Sequence, residues 1–252
     1  MAMGKPVVAA AQRRALYLEI LRRRARPGSG STLALLRSRG PYPMPDLNAL
    51  LAGVRYVVVG GTATSLYMPM RTTEDVDVLI AGRDAALAEG ALRRAGARLV
   101  GQLSIGGTSW RLPSGEMLDV LTSHAPWIDD ALDHPNRDAA GLPIIALPYL
   151  VLMKLEASRG VDIGDLTRML GGAAEEALAA VRAVVRTYLP DAAEDLEDLI
   201  QLGRLEYAGA PGSQPPGSPS ESPAPEEVHV REHHRGGRLV REHGRRRPSQ
   251  GG

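Results

Sequence analysis

Cysteine is absent from the 252 residues, and so is phenylalanine. Without thiols the chain holds no disulfide framework, no thiolate zinc site, no cysteine nucleophile and no redox dithiol. Aromatics make up 4% of the chain. A platform that stacks RNA bases on several rings is therefore not expected, and the core must be built from Ala, Leu, Val and Ile. Lysine is nearly missing as well: of 30 basic residues, only Lys5 and Lys154 are not arginine. No apolar run reaches the ~18 residues that a membrane span needs. Residues 7–11 are too short for a signal-peptide core and are followed by arginines rather than a cleavage site. These absences predict a cytoplasmic protein without membrane contact.

What is present is unevenly spread. The formal net charge is +1, yet residues 1–40 carry nine basic residues and one acidic residue. The stretch 41–208 has 14 basic against 23 acidic residues, and 209–252 has seven against five. An acidic body needs cations before a triphosphate can approach, and a basic arm attracts a nucleic-acid backbone.

Four regions follow from composition and pattern. Residues 1–40 read as a basic helix and linker. The helix is expected over 9–21 with Leu16, Ile20 and Leu21 on one side, ending before the "RPGSGS" at 26–31. Residues 209–252 are rich in Pro, Gly and Ser and poor in large apolar side chains, the composition of a disordered tail. His229, His233, His234 and His243 in that tail are read as solvated, with adventitious metal binding as the alternative. Residues 41–146 read as an α/β (α+β) core with a mixed sheet of four to five strands flanked by helices. Its strands are expected at 55–59, 76–80, 97–100, 109–112 and 117–121, with Pro113, Ser114 and Gly115 turning between the last two. A short helix at 46–52, one at 62–67 and one at 84–95 fill the gaps. Residues 147–208 read as a helical C-terminal subdomain, with helices at 148–158, 162–170, 173–188 and 191–202.

Chemistry concentrates in "YVVVGGTATSLYMPMRTTEDVDVLI" at 56–80. An apolar strand runs into Gly60 and Gly61 and then a helix. Glycines there let the backbone approach a ligand, and the first N–H groups of the helix favour phosphate; a simple tight turn is the other reading. Asp75 and Asp77 bracket Val76 at the start of the next strand and share one face. Neighbouring carboxylates repel unless a cation neutralises them, and Mg²⁺ bound by two carboxylates plus substrate phosphates meets that need. A solvated strand end is the alternative. Asp119, between Leu118 and Val120, is an acid within an apolar strand, where it needs a metal or a salt bridge to an arginine such as Arg111.

Gly60-Gly61, a thirteen-residue spacer and Asp75-Val76-Asp77 resemble the signature of nucleotidyltransferases with the DNA polymerase β fold. In that family a third carboxylate comes from a later strand, here Asp119. A second block, "LPYLVLMKLEASRGVDIGDLTRML" at 147–170, resembles the downstream motif of the AbiEii-type branch, which includes toxins of toxin–antitoxin systems. Its matched positions are Lys154, Arg159, Asp162 and Asp165, with Val161 where the family often has lysine.

The resemblance implies a nucleotidyltransferase that moves a nucleoside monophosphate from an NTP, such as ATP, to a hydroxyl acceptor. It implies two Mg²⁺ ions on Asp75, Asp77 and Asp119, and nucleotide binding by Gly60, Gly61, Thr62, Arg71, Lys154 and Asp165. Arg71 and Thr73 match the family's Arg-x-Thr. Thr62 or Thr64 would stand in for the serine that some members carry at the second glycine. The implied partners are an RNA acceptor, such as a tRNA 3′ end, and an antitoxin protein. An aminoglycoside-type small-molecule acceptor, or a non-catalytic relative that binds nucleotide or a partner, are the other readings. From the residues alone, Lys154 is either a triphosphate contact or a lysine snorkelling over an apolar helix. Asp162 reads as an N-cap, and Asp165 either orients Lys154 or a nucleotide, or pairs with Arg168.

Overall fold

A computed structural model of the chain describes residues 9–25, 44–68, 75–138 and 140–208. The expected tail at 209–252, its histidines, and Arg71 and Thr73 lie outside them. The order is α1 (Ala10–Arg24), α2 (Leu47–Leu50), β1 (Val57–Val58), α3 (Gly60–Tyr67), β2 (Val76–Ala81), α4 (Ala85–Arg94), β3 (Arg98–Gln102), β4 (Gly107–Arg111) and β5 (Met117–Ser123). Then come α5 (Ile128–Asp133), β6 (Asn136–Arg137), β7 (Pro143–Ile144), α6 (Leu147–Ala157), α7 (Gly160–Gly171), α8 (Glu175–Tyr188) and α9 (Ala193–Tyr207).

Among the described residues the sheet has seven strands, ordered β3-β4-β5-β2-β1-β7-β6. The pairs β2–β5 and β1–β7 are parallel and the rest antiparallel. The fold is thus a mixed sheet with flanking helices and a helical C-terminal part. Four to five strands were expected; the additional ones, β6 and β7, are two residues long. That length is too short to show a period of two.

Buried Val, Leu and Ile from β1, β2 and β5 form one core with the apolar faces of α6 to α9. Trp110 is the largest fully buried side chain, and Arg93 lies over its ring at 5.7 Å. Local signals explain the element ends. Asp46 accepts from the Ala49 N–H to cap α2. Pro148 sits in the first turn of α6, where its missing N–H costs nothing. Gly115, at φ +104°, closes the β4–β5 hairpin.

Helix α1 departs from expectation in which face it buries. Leu16 is 56% exposed and Ile20 is exposed as well, while Leu18 and Arg14 are buried. The buried stripe steps through Arg14, Leu18 and half-buried Leu21, positions three and four apart. Arg14 belongs to it because α9 and its leading turn supply carboxylates: Asp195 at 2.7 Å and Asp191 at 3.1 Å. Two further arginines of this helix also have partners within the chain. Arg22 pairs with Asp198 and Arg23 with Glu19, four residues back.

Candidate active site

Two stretches 70 or more residues apart in sequence line one cleft of about 720 Å³. Gly60, Gly61 and Asp77 come from the first. Lys154, Arg159, Asp162 and Asp165 come from the second, and Arg13 reaches in from α1.

The sheet sets the carboxylates. β2 and β5 run parallel with Asp77 opposite Asp119 and Leu79 opposite Leu121. Alternation then puts all four on one face, the face where Asp77, Leu79 and Leu121 line the cleft. Asp75 sits one residue before β2 and is exposed. Burial, followed by the charges of Asp119 and Asp75, pushes the Asp77 carboxyl up to about 6. Arg159 and the Gly61 N–H pull in the other direction. Asp119 makes no ion pair among the described residues. Arg111, the salt-bridge candidate, stands opposite Met117 and donates instead to the Gly115 carbonyl at 3.4 Å.

Gly60 and Gly61 form the first turn of α3, so the helix starts two residues earlier than the pattern predicts. Gly60 has φ +62°, and a Cβ there would lie 1.9 Å from Asp77 Oδ2. Both the left-handed backbone and the space exclude any other residue. The Thr64 hydroxyl donates to the Gly60 carbonyl at 2.8 Å, so it is engaged inside α3. Thr62 is half-buried on α3 and is not part of the cleft wall. The donors that this turn can offer to the cleft are therefore backbone N–H groups.

The second block is an ion network. The Lys154 ammonium, only 8% exposed as a residue, donates to Asp165 at 2.8 Å and Asp162 at 3.3 Å. Asp162 also accepts from the Arg159 Nε at 2.6 Å and from the Arg159 backbone N–H. It is thus the third residue of α7 reaching back to its N-cap, Arg159, and not the N-cap itself. Burial acts to raise the Asp162 pKa, but the hydrogen bond from Arg159 and the charges of Lys154 and Arg159 outweigh it and hold it low. Asp165 pairs with Lys154, the first of the options its position left open.

The two cations differ in what they can do. Lys154 is enclosed by carboxylates, whereas the Arg159 side chain is 62% exposed in the same cleft. Arg13, Trp127 and Glu156 are cleft residues that the sequence did not point to, and Arg159, a matched motif position, was given no nucleotide-binding role. Trp127 stacks on Tyr149 at 6.0 Å between ring centroids. No spacing rule connects these positions to Gly60 or Asp77; only the approach of α1 and α6 to the sheet does.

Among the described residues no three His, Cys, Asp or Glu side chains stand close enough to form a ready metal cage. The donors suit Mg²⁺ all the same. Asp77 and Asp119 offer carboxylate oxygens paired in register, and burial, with the neighbouring negative charges second, raises the Asp77 pKa, a cost that a dication would offset. Mg²⁺ characteristically takes one or two carboxylates and completes its shell with water and substrate phosphate.

No protein-family model and no curated protein matches the chain. Solved structures do. The antibiotic-resistance factor ANT(2″)-Ia in solution aligns at 18% identity and TM-score 0.35, with 64% of this chain covering 90% of that one. The crystal structure of ANT(2″)-Ia with adenylyl-2″-tobramycin aligns at 19% identity and TM-score 0.34, with coverage of 64% and 97%. The Thermotoga maritima CCA-adding enzyme complexed with tRNA aligns at 19% identity and TM-score 0.34 over 67% of this chain, which spans half the length of that enzyme. At these values the function has to be argued from the site.

Proposed function

We propose that the cleft transfers a nucleoside monophosphate from an NTP to a hydroxyl group. One observation carries the reading: Gly60, Gly61 and Asp77, with Asp119 in register beside Asp77, and the Lys154–Arg159–Asp162–Asp165 network resemble one enzyme superfamily in separate sequence blocks, and Gly60, Gly61, Asp77 and all four network residues line the same cleft.

Asp77 and Asp119, with Asp75 at the strand entrance, would hold Mg²⁺, which neutralises triphosphate charge and makes the acceptor hydroxyl a better nucleophile. The N–H groups of the first turn of α3 face the phosphates. Arg159, exposed at the cleft and paired on one side with Asp162, offers its remaining donors to a phosphate oxygen. Lys154 keeps Asp162 and Asp165 charge-balanced, which fixes Arg159 through Asp162. Asp119 accepts the proton of the attacking hydroxyl. The hydroxyl oxygen bonds to the α-phosphorus as the bond to the bridging oxygen breaks, and pyrophosphate leaves.

The AbiEii-type motif supports a toxin acting on an RNA end and restrained by an antitoxin. An aminoglycoside hydroxyl is the small-molecule alternative, and adenylyl-2″-tobramycin is the ligand of one of the aligned structures. Incubation with ATP, CTP, GTP or UTP labelled at either the α- or the γ-phosphate, against tRNA, protein and aminoglycoside acceptors, tests both. Acceptor label from the α-position alone supports nucleotidyl transfer. Label from the γ-position alone indicates phosphoryl transfer and refutes the reading, as does the absence of label on every acceptor.

A further inference from the structure

We propose that helix α1 is a brace for the candidate active site and that Arg13 and Arg14 are positioning residues for Lys154. The inference rests on the proposed function only in taking Lys154 to serve that site.

The geometry lies at the elbow between α6 and α7. Helix α6 ends on Ser158, whose φ of +48° is in the left-handed region and whose side chain is fully buried. Glycine is the usual residue at such a helix end, so this serine needs external support. Its N–H closes the last turn onto the Lys154 carbonyl at 2.9 Å. The helix ladder leaves the following carbonyls without a partner; the Ser158 hydroxyl donates to that of Leu155, and α1 supplies donors to those of Leu155, Ala157 and Ser158. Arg14 donates to the Leu155 carbonyl at 3.2 Å. Arg13 donates to the carbonyls of Ala157 at 3.1 Å and Ser158 at 3.3 Å. On the other side of the elbow, Tyr17 packs so tightly on Gly160 that a Cβ there would lie 2.9 Å from the ring.

Arg14 is 1% exposed. Its guanidinium bridges the α6 end to Asp191 and Asp195 of the α9 region. Such a buried, doubly paired fork is rigid and direction-specific. The turn it holds runs from Lys154 to Ser158, and the first turn of α7 follows at once with Arg159 and Asp162. A small change in elbow pitch therefore moves the ammonium, the exposed guanidinium and their shared carboxylate together. Arg13 lines the cleft as well, which places the brace at its wall.

Only Lys5 and Lys154 carry side-chain amines in this protein, which allows a reading independent of any enzymatic activity. The full chain is treated with N-hydroxysuccinimidyl acetate, and peptide mass spectrometry follows acetylation at Lys154, with Lys5 as reference. The variants are Arg13→Gln, Arg14→Gln and, as a general destabilisation control, the core truncation Leu92→Ala on α4. The brace predicts slow modification of Lys154 in the intact chain. It predicts at least about tenfold faster modification in Arg13→Gln, which keeps the buried Arg14 pairs, because the turn then opens locally. Leu92→Ala should leave Lys154 protected at a temperature equally far below its own Tm. Unchanged protection in Arg13→Gln, or equal exposure in Leu92→Ala, overturns the proposal.

Calorimetry with Mg·ATP supplies the link to the site. Arg13→Gln should weaken binding about fivefold through displacement of Lys154 and Arg159, and Arg13→Lys, which restores one donor, should recover part of that. Unchanged Mg·ATP affinity despite an exposed Lys154 also overturns it, since the brace would then serve the fold alone. Failure of the intact chain to bind nucleotide would instead remove the nucleotidyltransferase reading, while the acetylation result still decides whether the brace exists.

Discussion

At the scale of single residues, Asp77 shows the conflict between stability and chemistry most plainly. Its carboxyl is pushed up to about 6 by burial and by Asp119 and Asp75. A raised folded-state value means that the favourable contribution is present below the unfolded value near 3.8 and lost as pH rises through about 6. At neutral pH the metal-free protein therefore carries a penalty of up to about 3 kcal/mol at this position. Asp77→Asn should raise the Tm at pH 7.5 in EDTA and leave it nearly unchanged at pH 4, as followed by circular dichroism. The two cations of the second block should separate in the opposite way. Lys154→Ala leaves Asp162 and Asp165 buried without their shared counter-charge and should cost about 3–5 kcal/mol in urea unfolding. Arg159→Ala, at a 62% exposed side chain, should cost under about 1 kcal/mol of stability yet weaken Mg·NTP binding. Near-absence of lysine from the sequence drew attention to Lys154 and away from Arg159; exposure, which no sequence pattern carries, makes Arg159 the more accessible cation of the two. The Asp162 N-cap expectation failed for a related reason. An acid near a helix start serves equally well as the third residue reaching back, and only the position of Arg159 decides which.

Among the elements, the long ones were legible and the short ones were not. β2 and β5 were visible from apolar runs that each include an acid, and α4 and α8 lie within the helices expected at 84–95 and 173–188. β6, β7 and α5 carry two to six residues each, too few for a period. Pairing was beyond reach as well: nothing in the sequence states that β5 adds parallel to β2 with Asp119 opposite Asp77. Helix packing adds another contact of this kind. Gly203 on α9 meets α7 at backbone distance, and a Cβ there would stand 2.1 Å from the Thr167 carbonyl oxygen. Gly203→Ala raises helix propensity but forces the two helices apart. The expected net effect is a loss of about 1–3 kcal/mol by denaturant titration, against the gain that propensity alone would give.

For the molecule as a whole, the charge asymmetry read from the sequence persists but acquires another meaning. Residues 1–40 were expected to form a basic arm that attracts a nucleic-acid backbone, and 9–25 are the part of it that is described. Among the described residues Arg14, Arg22 and Arg23 pair with carboxylates of the chain itself, Arg14 and Arg22 with those of the acidic α9 region. Part of the positive charge is thus offset across an internal contact between α1 and α9. Among the described residues no helix is long and apolar enough to cross a membrane. The proposed function requires Asp77 and the α6–α7 network, which line one cleft, to act together on a metal-bound nucleotide. Titration of the intact protein and of Asp77→Asn with ATP, in Mg²⁺ and in EDTA, addresses that claim most directly. Saturable binding that requires Mg²⁺ and is lost in Asp77→Asn, with the variant folded, is the predicted result. Absence of Mg²⁺-dependent binding in the intact protein, or equal binding by Asp77→Asn, would contradict it.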